Sequence, residues 1–164
     1  MTKDEPAPAE AARRLLLTAD RASLSTRLAK APNIDLNGWP YGSLVLMAVA
    51  GDGAPLLLLS DLAEHAKNIA ADLRVALLID GTAGLADPLT GPRVTILGRA
   101  EKSADGRLKE LFVARHPSAK LYAGFADFHL YRVAITGAHL VAGFGRIHWI
   151  TPDILTEGLT GTTS

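Results

Sequence analysis

Apolar residues recur along this chain in two rhythms, and the change comes at Gly42. Before it, "EAARRLLLTA" (10–19) sets Ala12, Leu15 and Leu16 on one face with Arg13 and Arg14 beside them, which predicts a helix. "ASLST" alternates apolar with polar and predicts a short strand. "RLAKAPNIDLNGWPYG" carries Asn, Gly and two prolines and predicts a long connection. After Gly42 the apolar runs become strand-like. "SLVLMAVA" and "PLLLLS" are joined by "GDGA", a link of hairpin size. "DLAEHAKNIAAD" puts Leu62, Ala66, Ile69 and Ala70 on one stripe and predicts a helix. "RVALLID" predicts the next strand and "GTAGLADPLTGP" a loop. "RVTILGRAE" alternates strictly, with Val94 and Ile96 on one face and Arg93, Thr95 and Leu97 on the other.

The second half continues the mixture. "GRLKELFVARHP" predicts a helix with Leu108, Leu111, Phe112 and Arg115 in register, ended by Pro117. "SAKLYAGFADF" adds a turn or two. "HLYRVAITGAHLVAGFGRIHWI" predicts a strand, a turn at "TG" and a second strand. Pro152 opens a last helix, with Thr151 as N-cap. Six or seven strands, many adjacent in sequence and without βαβα alternation, predict a mainly β fold: an antiparallel barrel with peripheral helices. Residues 1–8 are expected to be a disordered tail, 9–155 one domain and 156–164 a flexible C-terminal tail.

Composition narrows the function classes. Of 164 residues, 17 are Lys or Arg and 17 are Asp or Glu, so no broad field favours nucleic acid or an anionic membrane as a partner. There is no cysteine, which removes disulfides and thiolate chemistry. "MTKDEPAPAE" has no apolar core of a secretory signal, and "LVLMAVA" is too short to span a bilayer, so a cytoplasmic protein is expected.

The candidate chemistry lies at strand ends. The five histidines (65, 116, 129, 139 and 148) show neither helical i, i+4 nor His-x-His spacing, and no zinc or non-haem iron site is expected. No nucleophile elbow or P-loop is present. Ser60 ends one strand just before a helix. Asp61 and Glu64 fit a capping box there, and Glu64 with Lys67 fits a solvent-face pair. The same turn also fits an anion held by a helix N-terminus, with Ser60 and Lys67 as donors. Arg93 and Thr95 share a strand face and suit a phosphate or polar ring edge. Ser43 is a third donor candidate. His148, beside Trp149, is a candidate haem ligand.

"GWPYGSLV", "LLLLSDLAEHAKNIAADLRVALLID" and "DPLTGPRVTILGRAE", in this order, resemble the pyridoxamine 5′-phosphate oxidase-like FMN-binding split barrels. The closing "HLVAGFGRIHWI" resembles their haem-utilisation-related branch. The resemblance implies a six-stranded antiparallel split barrel of the FMN-binding type that forms a homodimer, with FMN at the dimer interface. It places Ser43, Leu44 and Val45 along the flavin. Ser60 would approach the FMN, with His65 and Lys67 near its phosphate and Asn68 beside them, and Arg93 and Thr95 would face the ring. It implies an oxidoreductase of unknown substrate, or a haem-binding protein, or a flavin-binding module without turnover. The chain departs from true pyridoxamine-phosphate oxidases where an arginine precedes the flavin-facing strand: Gly42 or Ser43 stands there.

Overall fold

Every strand of the structure pairs antiparallel with its neighbours. The structure is a computed structural model, and it describes residues 6–161. In chain order the elements are α1 (Pro8–Thr18), β1 (Arg21–Arg27), β2 (Pro40–Leu46), β3 (Ala48–Val49), β4 (Pro55–Ser60), α2 (Glu64–Ala71), β5 (Arg74–Asp80), β6 (Arg93–Ser103), α3 (Gly106–Arg115), β7 (Phe128–Val141), β8 (Ile147–Ile150) and α4 (Pro152–Leu155).

The sheet runs β2-β1-β5-β6-β7-β4-β3, with β8 added to β7. Its two end strands, β2 and β3, are consecutive in the chain and separated only by Met47. One bent strand therefore pairs with β1 through its first half and with β4 through its second. Counted as one, and with β8 left aside as an addition to β7, it gives the six strands expected for the barrel, and it curls the sheet back on itself. "SLVLMAVA" is thus not one arm of a simple hairpin. Met47, fully buried, marks the change of partner, and its N–H donates to the Asp20 carbonyl (2.9 Å).

The predicted turn at "TG" is absent. β7 runs unbroken through it, and the register against β6 slips by one residue, from Leu97↔Gly137 to Gly98↔Ile135. Thr136 is the extra residue of a β-bulge. The slip reverses the parity of the strand: Tyr131 and Val133 face the core before it, Ala138 and Leu140 after it. Gly98 sits opposite, where a Cβ would lie 2.4 Å from the Ala134 carbonyl oxygen.

Two apolar cores follow. The barrel interior holds Leu24, Leu57, Leu77, Ile96, Val133 and Leu140, with Leu16 of α1 and Ile69 of α2 packed into it. A second core lies on the outer side of β4, where Leu56 and Leu58 meet Phe112 of α3, and Ala119 and Ala123 beyond it. Burial on both faces explains why β4 reads as an unbroken leucine run instead of an alternating one. The helix stripe is narrower than expected: Ala66 and Ile69 are buried, while Leu62 and Ala70 are exposed. Leu62 precedes α2 and lies in the turn.

Both ends of the chain hold more structure than the sequence pattern implies. α1 begins at Pro8, inside the expected N-terminal tail, and residues 1–5 of that tail lie outside the described residues. Arg13 Nε and Nη2 donate to the carbonyls of Leu155 (2.7 Å) and Ile154 (2.8 Å), closing the end of α4. Within 156–164, Thr156 and Leu159 pack against the turn at Gly53. Gly53 has φ +92°, and a Cβ there would meet Thr156 Cγ2 at 2.9 Å, so the turn and the C-terminal segment fit each other only with glycine present. Residues 162–164 lie outside the described residues.

Candidate functional site

The turn between β4 and α2 is held by side chains that the strand end brings together. Ser60 Oγ donates to Asp127 Oδ2 (2.6 Å) and accepts from the Leu62 N–H (3.1 Å). Its hydroxyl therefore ties the turn to the segment entering β7. The expected capping box does not form. α2 starts after Ala63 with no side-chain cap, because the Asp61 carboxylate accepts from His129 Nε2 (2.9 Å) and Lys102 Nζ (3.2 Å) instead. Glu64 and Lys67 make the exposed pair read from their spacing, at 3.6 Å.

Two residues of α2 turn inward. His65 Nδ1 lies 3.0 Å from Ser43 Oγ on β2. The ring is half-buried, and this burial pushes its pKa below the usual imidazole value, which keeps it neutral near pH 7. Asn68 is fully buried. Its Oδ1 accepts from the Ala29 N–H (3.0 Å), and its Nδ2 donates to Thr26 Oγ1 (3.0 Å). The amide cross-links α2, β1 and the following connection. It is a structural tie and not a group presented to a ligand. Val45, also expected along the flavin, points into the barrel core, and only its neighbours in the alternation reach the surface.

The other expected residues lie elsewhere. Arg93 Nη1 donates to the carbonyls of Leu89 (2.9 Å) and Gly91 (3.2 Å), holding down the loop before β6. Thr95 belongs to a row of paired residues across the outer face of the sheet: Leu44, Ser23, Leu78, Thr95, His139, Trp149. Leu44 and Thr95 are three strands apart, on the order of 14 Å at the usual strand spacing. Within one chain, then, Ser43 and His65 meet at the α2 corner, while Lys67 lies on the exposed side of α2 beside Glu64. Leu44, Arg93 and Thr95 lie on the outer face. They do not assemble into one flavin cradle.

That outer face is exposed across much of the sheet. α3 covers the β4 side, but among the described residues no helix covers the outer β2-β1-β5-β6-β7-β8 side. Leu44 is 73% exposed, Leu78 42% and Trp149 74%. The His139 and Trp149 rings lie against each other, with centroids 4.4 Å apart. Sequence reasoning passed over His139. A strand continuing through Thr136 and Gly137 would have set it opposite to the core residues Ala138 and Leu140, but the expected turn concealed that parity. His148 lies on the opposite side of β8 from Trp149, pairs with Leu140, and lines a separate cavity against α1.

Comparison with known proteins places this arrangement. Residues 3–157 match the family described as CREG, beta-barrel. The chain belongs to that beta-barrel family. It is 33% identical over 109 residues to the non-canonical heme oxygenase HOZ, chloroplastic, of Arabidopsis thaliana, a match covering 65% of this chain and 33% of that protein. The match thus spans about a third of that relative's length. A heme binding protein from Mycobacterium smegmatis superposes with TM-score 0.82 at 30% identity, over 93% of this chain and 61% of that one. A general stress protein 26-related protein of the pyridoxinephosphate oxidase family from Clostridium acetobutylicum superposes with TM-score 0.63 at 12% identity, over 90% of this chain and 96% of that one. At that identity the last likeness is one of fold alone. The family and its haem-related relatives agree with the resemblance read from "SDLAEHAKNI" and "HLVAGFGRIHWI". Among the described residues no helix is long and apolar enough to cross a membrane.

Proposed function

We propose that the protein binds haem and serves haem utilisation, as a homodimer that encloses the haem between the bare outer faces of its two sheets. The observation that carries this reading is that face. It presents a mixed row, with exposed Leu44 and Leu78 on either side of Ser23 and then Thr95, that ends in a half-buried imidazole packed on an exposed indole. A planar tetrapyrrole fits such a surface: apolar side chains cover its ring, and His139 offers a nitrogen to its iron. Bound haem would supply redox chemistry that a chain without cysteine lacks. The chain's own part is to hold the macrocycle, keep water from it, and set the ligating imidazole against Trp149. The haem-named relatives support the same reading.

A second reading, FMN binding with oxidoreductase activity, is favoured by the α2 corner, where neutral His65 meets Ser43 near the start of a helix that also carries Lys67. Its phosphate would need further cationic help. Arg93 is on the other face of the same chain and bonded to its own loop, so a second copy must supply it. The flavin reading therefore draws a cationic residue from the second copy, whereas the haem reading draws its iron ligand from the face itself.

The visible spectrum of the purified protein tests both, before and after addition of haemin or FMN. A Soret band on haemin addition, lost in His139→Ala and kept in His148→Ala, is expected. No Soret shift in the wild type overturns the haem reading. Flavin absorbance that co-purifies and weakens in Lys67→Ala would install the second reading instead.

A further inference from the structure

We propose that a row of three arginines, Arg27, Arg74 and Arg99, receives the propionate edge of the haem, with Arg99 nearest the iron ligand, and so fixes which way the ring lies on the outer face. This rests on the haem reading and adds a direction to it. Arg74 is paired with Arg99 across β5 and β6. Ser25 is paired with Ala76, and continuing that register by two residues brings Arg27 alongside Arg74. Thr26, Val75 and Ala100, next to them in the three strands, are buried, so the arginines project from the outer face.

Like charges directly opposite one another in a sheet repel, and this row sets three in succession. Asp72 offsets part of the charge: its carboxylate accepts from Arg74 Nε (3.0 Å) and Nη2 (2.7 Å). Arg74, and Arg27 at longer range, hold that carboxyl below the usual carboxylate range. Among the described residues the guanidiniums of Arg27 and Arg99 make no hydrogen bond or ion pair. That of Arg27 rests against the turn before β2, where a Cβ at Gly38 would lie 3.0 Å from its Nη2. Glu101, next on the outer face of β6, stands opposite Arg132. The row therefore stays positive, and its planar forks suit carboxylates.

The other end of the face is occupied. Arg21 donates to Asp20 (2.9 and 3.0 Å), Arg93 donates to the carbonyls of its own loop, and the Asp80 carboxylate is on the strand position paired with Arg93. Between the His139 row and the arginine row lies a low row: Gly42, Ser25, Ala76, Leu97 and Gly137. A Cβ at Gly42 would meet nothing within 4 Å, and one at Gly137 only the Ile150 carbonyl oxygen, at 3.8 Å. A planar ring lies over such a strip without being lifted off the sheet. From Thr95, the partner of His139, to Arg99 is about 14 Å along β6. A propionate arm and an extended arginine span that distance between them. The reverse direction would set two carboxylates beside Asp80, with like charge.

Haemin titration followed at the Soret band tests this, with haemin dimethyl ester as the companion probe, which keeps the ring and the iron but has no carboxylate. Arg99→Ala is expected to weaken haemin about tenfold, as the loss of one charge-assisted hydrogen bond does, and Arg27→Ala, farther along the row, by less. The Soret maximum should not move, because His139 still ligates the iron. Arg99→Lys should recover part of the loss. Arg21→Ala, a charge loss at the other end of the same face, should leave haemin binding unchanged. The wild type should hold haemin more tightly than the ester, and Arg99→Ala should narrow that gap, a readout that a merely structural arginine would not move. Urea unfolding checks that each variant is folded. No Soret band in the wild type overturns the haem reading and this orientation with it. A wild-type Soret band with haemin affinity unchanged in Arg99→Ala, or with the ester gap unchanged in that variant, overturns the orientation alone. So does an Arg21→Ala variant that weakens haemin as much as Arg99→Ala.

Discussion

His116 Nε2 lies 2.8 Å from the carbonyl oxygen of Met47, the residue at which one strand of the barrel changes partner from β1 to β4. The imidazole is buried, and its ring packs on Phe112 with centroids 5.0 Å apart. On its other side Met47 donates to Asp20, so both backbone groups of the bend are satisfied from different elements. The bend thus joins β1, α3 and the barrel interior at one residue.

Replacing His116 with Ala leaves the Met47 carbonyl unpaired in a dry environment and opens space beside Phe112. The expected loss is about 2–3 kcal/mol. Urea unfolding reads it as a lower midpoint at unchanged m-value. A midpoint equal to that of the wild type would remove His116 as the pin of the bend.

Asn68 gives a contrasting test, because sequence resemblance and structure assign it different work. Truncation to Ala strands the Ala29 N–H and the Thr26 hydroxyl. The expected cost is about 2–3 kcal/mol for one buried and one part-buried group left without partners. If Asn68 instead contacted a flavin phosphate, the variant would lose FMN affinity with little change in stability. Paired urea and FMN titrations separate the two.

These residues also show what the sequence could convey. Alternation in "RVTILGRAE" placed Val94 and Ile96 in the core because a strand with one buried face has period two, and both are fully buried. The family resemblance supplied the six-strand count that local pattern left at six or seven. Three features stayed out of reach. The partner change at Met47 is a tertiary event with no local signature. The Thr136–Gly137 dipeptide is as good a turn signal as a bulge signal, and only the pairing with β6 decides. Asp61 looked like a cap because its competitors, Lys102 and His129, are 41 and 68 residues away. At the candidate site the sequence named residues of suitable chemistry, but it could not tell that they divide between the α2 corner and the outer face.

The outer face yields a prediction of its own. Large apolar side chains as exposed as Leu44, Leu78 and Trp149 on one sheet face are costly to leave in water, and burial against a second copy would remove them from it. Leu78→Glu places a charge at the centre of that row, on a strand whose inner-facing residues stay untouched. Light scattering after size exclusion is expected to show the wild type as a dimer and the variant as a monomer. A monomeric wild type, or a variant that remains dimeric, would exclude this face as the seam.

The last prediction concerns pH and follows from His65. Burial depresses its folded pKa below the unfolded value of 6.5. Between those two values the unfolded chain binds a proton that the folded chain does not, so stability rises with pH across the window. The contribution is complete above pH 6.5 and is lost as pH falls through the folded pKa. The carboxylates held low by their partners, Asp52 by Arg132, Asp72 by Arg74 and Asp80 by Thr82, change stability only at more acid pH, in and below the ordinary carboxylate range of about 4. Urea unfolding at about pH 7.5 and about pH 5.5 therefore samples the imidazoles. His65→Gln keeps a polar group near Ser43 but cannot be protonated in this range. The drop in stability between the two pH values is expected to be smaller in the variant than in the wild type, and subtracting one from the other cancels the remaining histidines. An equal drop in both proteins would mean that His65 titrates in the folded chain as it does in the unfolded one, and the neutral imidazole at the α2 corner would have to be given up.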